Sequence, residues 1–560
     1  MKKGQFPIHV DLKTGHMDRA LSPILNVLRT LTKYSTHLSR GVEEYDTGPK
    51  GPCPDLDESR PGPFLKRLVS GMVTYMGPTP SFLLYSALTL PMLLGCTGIE
   101  TKVEDPGLKY AIDRTDGKVS PEITGYWRSV GNGYLLEARK DSILLYSYTE
   151  GFCYKEKNDY LEGLLNSESR FLMRQDTLGI YLTDFGERTG WLQTKKDFVK
   201  VDGLPKDCIG FPEMQELGNR ELFGLYLETL EENYAFKKER GLDWGQLYQS
   251  YMDSIKTGKE SLFWAMGKVA EMTGDQHTKV IAPDGRTLQY RGTPSAEIVQ
   301  QAFAGQAEET DLNAYFGSFF ATNYGNISDS LLQGKGKKAL NGRLEYGDLT
   351  DDIGYLNIHS LTGFLGRGHT RRQEVDSLDL HMAEIIEYFG DKKALIVDIS
   401  FNFGGYDAAG LIIAGHFADA PAFAYTSQVY NNGSFHDEGK VMVSPAGSAK
   451  FTKPVYVLMT DISRSAAESF AMMMGSLPNV KLVGTRTLGT LSGMLGKSIG
   501  EYYTTCSNQR LLLPDGTHYE GLGVGPDIGL EVFSRDRVFD GHMGAVRKVC
   551  EIIEGRARDE

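Results

Sequence analysis

At 560 residues the chain is too long for one compact core, and roughly two to four domains are expected. Hydrophobic residues at 41% and charged residues at 24% fit a globular chain, and the net charge of −13 excludes a phosphate-binding nucleic-acid surface. Six cysteines without a CxxC pair exclude a disulfide scaffold and a cysteine zinc site, and HExxH, GxxxxGK[ST] and GxSxG are all absent. No metal or organic cofactor is expected.

Residues 1–95 carry Gly, Pro and charge clusters such as Gly48-Pro49-Lys50-Gly51-Pro52, then an apolar run from Ser81 to Cys96. A helical membrane span needs about 20 apolar residues, so this run suits a signal-peptide core better than a span. Its end, Leu93-Leu94-Gly95-Cys96, resembles a bacterial lipoprotein signal, although Leu94 is not the usual small or β-branched residue. That reading makes Cys96 the lipidated first residue of a membrane-anchored envelope protein, periplasmic or surface-exposed. The alternative is a buried core element.

A linker over 96–122 leads to a small β module over 123–208, a barrel or sandwich. It reads as alternating runs such as Tyr134–Ala138 and Ile143–Tyr148, broken by Gly, Asn and Asp. Cys153 and Cys208 are either a disulfide or two buried thiols. A helical cap follows over 209–280. Asp243 can cap a helix whose apolar face is Trp244, Leu247, Tyr248, Tyr251, Met252 and Ile255, and a second helix is predicted from about Glu260 to Met272. After a connecting region, 281–345, strands and helices alternate through 346–540. Ile353–Ile358, Ala394–Ile399, Val455–Met459 and Val480–Val483 are predicted buried strands, with helices at Val375–Phe389 and Ala408–Phe417. This is an α/β architecture. Residues 541–560 are read as a terminal helix or tail.

Four segments carry chemistry together: Gly274-Asp275-Gln276-His277-Thr278, Val397-Asp398-Ile399-Ser400-Phe401-Asn402-Phe403-Gly404-Gly405, Thr460-Asp461-Ile462-Ser463-Arg464-Ser465-Ala466-Ala467-Glu468, and Pro514-Asp515-Gly516 through Glu520-Gly521 to Pro526-Asp527. The third reads as strand, turn and helix. A serine there meets free N–H groups and the positive end of the helix dipole, or else Ser465 and Glu468 form an ordinary S-x-x-E cap. A Gly-Gly pair after a strand lets backbone N–H groups approach a substrate. Taken singly, His277 and Glu520 are unremarkable.

In this order the segments resemble the C-terminal processing (tail-specific) peptidases, and over 213–535 their histidine-dependent, tricorn-like branch. The Pro514–Asp527 hairpin is the most specific match. The resemblance implies a crotonase-like spiral core and a serine endopeptidase forming an acyl-enzyme on protein or peptide substrates. Ser465 would be the nucleophile, His277 the general base and Glu520 its support. Gly404, Gly405 and Ala466 would form the oxyanion hole. Two departures stand out. Thr490 occupies the position of the lysine in the Ser/Lys branch, which leaves His277 as base, and Gln276 replaces the serine that precedes the tricorn histidine. No PDZ segment is evident between His277 and Ile353. A binding protein on the same scaffold, as in the interphotoreceptor retinoid-binding repeats, is the alternative.

Overall fold

The structure, a computed structural model, describes residues 107–556 except 114, 158–163, 165–168, 183–194, 256–258 and 305–310. The apolar run at 81–96, with Cys96, lies outside the described residues. No helix among the described residues is long and apolar enough to cross a membrane.

The N-terminal part is one eight-stranded antiparallel sheet. Its order is Leu108–Tyr110, Ser169–Arg174, Thr177–Leu182, Lys196–Val201, Gly125–Ser129, Tyr134–Ala138, Ile143–Tyr148 and Cys153–Lys155. The first strand lies inside the stretch read as a linker. Inward residues Trp127, Leu136, Ile143, Phe171, Leu178 and Phe198 form its core, and the Trp127 indole donates to Ile123 O at 2.8 Å. Cys153, on an edge strand, is disulfide-bonded to Cys208.

Helices Asn219–Asn233, Trp244–Met252 and Lys259–Met272 form a second core through Leu222, Phe223, Tyr226, Leu230, Trp244, Leu247 and Met266. Asp243 caps the second of them by accepting from Gln246 N at 3.0 Å. This helical layer rests on a four-stranded sheet ordered Thr287–Gln289, Lys279–Ile281, Tyr502–Ser507 and Met494–Ile499. The last two strands come from the far end of the chain. A three-stranded sheet is ordered Ser434–Val443, Ala422–Asn431 and Gln509–Leu512.

The α/β part is a seven-stranded sheet ordered Lys337–Ala339, Leu344–Asp348, Ile353–Ile358, Ala394–Asp398, Val455–Met459, Val480–Gly484 and Ile528–Gly529. From Ile353–Ile358 onward the pairing is parallel. Its central strands Ala394–Asp398 and Val455–Met459 read as apolar runs because both faces are covered. Leu356, Ile358, Leu395, Val397, Val455, Val457 and Leu482 face helices Arg371–Tyr388, Asp407–Gly415 and Ala466–Gly475. The alternating residues Ile353, Tyr355, Ile396, Leu458 and Val483 face Pro294–Ala304, Leu312–Gly325 and the C-terminal helix Gly541–Ile553. That last helix is part of the core. His542 Nε2 lies 2.6 Å from Asp398 Oδ2, which also accepts from Tyr355 Oη at 2.5 Å, all fully buried.

The Cys153–Cys208 bond spans 55 residues of sequence, so its loss enlarges the unfolded ensemble at a cost of about 2–4 kcal/mol. Replacing both cysteines by serine is expected to lower the thermal midpoint by several degrees. Reductant should reproduce the loss in the parent chain and leave the variant unchanged.

Candidate active site

Ser465 ends the turn after strand Val455–Met459 and opens the helix Ala466–Gly475. Its φ of +57° is rare for a side-chain-bearing residue outside a functional turn. Its hydroxyl makes no cap hydrogen bond, and the Glu468 N–H goes to the Ser465 carbonyl at 2.8 Å instead. The other half of the S-x-x-E cap is present, since Glu468 accepts from Ser465 N at 3.1 Å. Ser463 differs sharply. It is fully buried, donates to Ile399 O at 2.7 Å and accepts from Thr460 N at 3.1 Å, so its hydroxyl holds the turn.

Gly404 and Gly405 pack against this turn. A Cβ on Gly404, whose φ is +96°, would lie 2.8 Å from Ser465 Cβ and 2.9 Å from Ala466 N, which only glycine permits. The Gly404 N–H is taken by Asn402 Oδ1 at 2.7 Å, and the Asn402 amide donates in turn to Ile358 O at 2.8 Å. Gly405 is exposed, and its chain is held by Leu361 N to Gly404 O at 3.1 Å and Tyr406 N to Leu361 O at 3.0 Å. The N–H groups of Gly405 and Ala466 make no hydrogen bond. Two unused donors thus flank Ser465, while the Gly404 donor is committed elsewhere.

His277 sits in a tight turn between the helix ending at Met272 and the strand Lys279–Ile281. Asp275 makes that turn, accepting from His277 N and Thr278 Oγ1, each at 2.8 Å, and Thr505 Oγ1 donates to His277 O at 2.6 Å. The turn reaches the serine turn through neighbours, since Arg464 Nη1 donates to Gln276 Oε1 at 2.5 Å. No hydrogen bond joins the Ser465 hydroxyl to the imidazole, and the buried His277 Nδ1 has no partner. Burial lowers the His277 pKa; Asp275 opposes this, and Lys279 and Arg464 reinforce it. The ring is therefore neutral at pH 7, the form a general base requires.

Two carboxylates clamp the loop Thr487–Ser492 between these turns. Glu468, fully buried, accepts from Thr487 Oγ1 and Gly489 N at 2.6 Å and from Thr490 N at 2.8 Å, besides Ser465 N. Burial pushes its carboxyl up to about 7, and these donors oppose a further rise. Glu520 accepts from Leu491 N at 2.8 Å and Ser492 N at 2.9 Å, while its buried Oε1 has no partner. Burial holds the Glu520 carboxyl well above its usual range, reinforced by Asp275 and Glu468. No hydrogen bond runs from Glu520 to the His277 ring; its path to the histidine is the Ser492 backbone, which lies against the imidazole.

Sequence reasoning thus brings Ser465, Gly404, Gly405, Ala466, His277 and Glu520 into one region, but it missed Glu468, Asn402 and Arg464 as parts of it. The S-x-x-E spacing was the one signal for Glu468. Nothing local marks Asn402 or Arg464.

Residues 352–530 match the model of peptidase family S41. The match spans 179 of the 560 residues, and over that segment the chain is similar to this peptidase family. Solved structures with similarity include a candidate peptidase from Parabacteroides merdae ATCC 43184, at 23% identity and TM-score 0.48, over 60% of this chain and 96% of that one. Mature CPAF complexed with lactacystin matches at 14% identity and TM-score 0.42, over 61% and 100%. The photosystem II D1 C-terminal processing protease matches at 15% identity and TM-score 0.35, over 56% and 93%. With TM-scores below 0.5 these are similarities only, and the family resemblance rests on residues 352–530.

Because the atoms facing Gly404 are backbone and Cβ, they have no flexible end to retreat. Gly404→Ala is expected to displace the Ser465 turn, lowering activity at least about 100-fold while the protein stays folded by circular dichroism. Parent-like activity in this variant would show that the turn tolerates displacement.

Proposed function

We propose that the chain is an endopeptidase acting on envelope or extracellular proteins through an acyl-enzyme on Ser465. The observation that carries this reading is the φ of +57° at Ser465, which holds a hydroxyl unused by its helix cap beside two unused N–H donors. Ser465 Oγ attacks the scissile carbonyl and its proton passes to the neutral imidazole of His277. The developing oxyanion takes the N–H groups of Gly405 and Ala466. The C–N bond then breaks as the imidazolium returns the proton to the departing amine, and water repeats the cycle to release the acid. Glu520 acts as a positioning residue through Ser492. The parallel sheet with helices on both faces supports a crotonase-like core. A second reading, a binding protein on the same scaffold, is favoured by the missing hydrogen bond between Ser465 and His277, although such bonds often tighten only with substrate.

Fluorophosphonate labelling followed by peptide mapping is expected to mark Ser465. Ser465→Ala and His277→Ala should each lower turnover by about 1,000-fold or more, with the double variant little worse, because the two act as a unit. Glu520→Gln should cost less. A His277 pKa below its ordinary 6.5 keeps the base deprotonated into mild acid. The acid limb of kcat/KM therefore lies below pH 6.5, with activity falling as the pH drops through it. Label on Ser463, or undiminished labelling in His277→Ala, would overturn the assignment.

The apolar run ending at Cys96 supports a lipid anchor in the cell envelope, and the Cys153–Cys208 disulfide fits an oxidising compartment. Mass spectrometry of the native protein should find lipid on Cys96 and no peptide from residues 1–95. A soluble mature chain that begins far upstream would remove the anchor.

A further inference from the structure

Asp461 stands four residues before Ser465, in the turn that carries it, and is 8% exposed. Its carboxylate reaches out of that turn. Oδ2 accepts from Ser295 N at 2.7 Å and Oδ1 accepts from Ser295 Oγ, across 166 residues of sequence. Ser295 is itself buried, in the first turn of the helix Pro294–Ala304. Thr293 caps this helix locally: its Oγ1 accepts from Ala296 N at 2.9 Å and its carbonyl from Glu297 N at 3.1 Å. Pro294 has no N–H to satisfy. The Ser295 N–H is the donor left over, and a buried donor without an acceptor is costly. A carboxylate suits it, because the positive end of the helix dipole adds to two charge-assisted hydrogen bonds.

The rest of the turn is tied elsewhere. Thr460 Oγ1, Ser463 Oγ and Arg464 N donate to the carbonyls of Ser400, Ile399 and Asn402. Asp461 fastens the same turn to the helix Pro294–Ala304, whose Val299 shares an apolar core with Ile462. The chain just before that helix is held from the other side. Gly292 O accepts from Gln276 Nε2 at 3.4 Å, in the turn that carries His277. Gly292 and Ser295 are three residues apart, so one short segment is fastened to both turns. No hydrogen bond joins the Ser465 hydroxyl to the imidazole. Their separation is therefore set by what each turn is fastened to.

We propose that Asp461 is a positioning residue: through Ser295 it seats residues 292–295 across both turns and so sets the place of Ser465 relative to His277. The inference rests on the peptidase reading above.

Asp461→Ala, Ser295→Ala, the double variant and Asp461→Asn are compared in the full chain by ester hydrolysis and by hydrogen exchange read with mass spectrometry. An asparagine can keep both contacts, its Oδ1 accepting from Ser295 N and its Nδ2 donating to Ser295 Oγ. Asp461→Ala is expected to lower kcat about tenfold or more with KM little changed, because alignment of the reacting groups is lost rather than binding. Ser295→Ala keeps the backbone donor and should lose less. The double variant should be little worse than Asp461→Ala, and Asp461→Asn should recover most of the rate. Exchange in Asp461→Ala should quicken at least about threefold in the peptide spanning 274–279, a turn with which the Asp461 carboxylate shares no hydrogen bond. Parent-like kcat in folded Asp461→Ala, or faster exchange confined to the helix Pro294–Ala304 and the Ser465 turn, would make Asp461 a helix cap only and overturn the inference. If Asp461→Ala does not fold, Ser295→Ala decides by the same two readouts: a lowered kcat with faster exchange over 274–279 upholds the inference, and parent values in both overturn it. If the parent chain never labels at Ser465 and hydrolyses no ester, the peptidase reading falls, and exchange over 274–279 alone then upholds or overturns the tie between the turns.

Discussion

Everything at the site depends on how the loop Thr487–Ser492 is held. It touches the serine turn through Ser465 N to Thr490 O at 3.0 Å and the His277 ring through the Ser492 backbone. It packs on the Pro514–Asp527 hairpin, where Gly521 N donates to Gly489 O and Val524 N to Thr487 Oγ1. A loop of backbone N–H groups cannot be buried unless acceptors meet it. Glu468 supplies acceptors for the first half and Glu520 for the second. One carboxylate lies one helical turn past Ser465, the other in the hairpin. Together they fix the Ser465 and His277 turns, which the Arg464–Gln276 hydrogen bond also joins.

The electrostatic cost of this arrangement is visible. Glu468 and Glu520 are both buried, and neither has a cation within salt-bridge distance. Their charge is met by N–H and hydroxyl dipoles, which stabilise an anion only in part, so burial raises both carboxyls. Thr490, where a lysine would stand in the other branch of the family resemblance, gives its backbone N–H to Glu468 and its backbone carbonyl to Ser465, bonds that do not depend on the side chain there.

The surrounding fold makes this site rigid from below. Thr460 donates to Ser400 O at 2.6 Å and Ser463 to Ile399 O, tying the Ser465 turn to the neighbouring strand. Asp398, at the end of that strand, is locked by Tyr355, His542 and Ser400 N, so the C-terminal helix buttresses the same floor. From above, Asn508 Nδ2 donates to Asn233 O at 2.8 Å and Phe236 packs 5.8 Å from His518, which keeps the helical layer seated on the hairpin.

The sequence by itself determined the local elements. The buried strand Val455–Met459 follows from an unbroken apolar run and Ile353–Ile358 from a mostly apolar one, and Asp243 marks its helix start through a cap that needs only four consecutive residues. It also held the candidate nucleophile, because strand, turn and helix are consecutive in the chain. Only the tertiary structure decided the rest. His277 stands 188 residues before Ser465, and it reaches the serine turn because strand Lys279–Ile281 pairs with Tyr502–Ser507, a long-range register that no local pattern encodes. The part played by Glu468 was equally hidden. Its spacing from Ser465 fits an ordinary cap, and it becomes the anchor of a loop only when residues 487–490 fold over it. A cap is a short-range bond set by helix geometry, whereas which donors fill the other lone pairs of a buried carboxylate depends on what the rest of the chain brings to it.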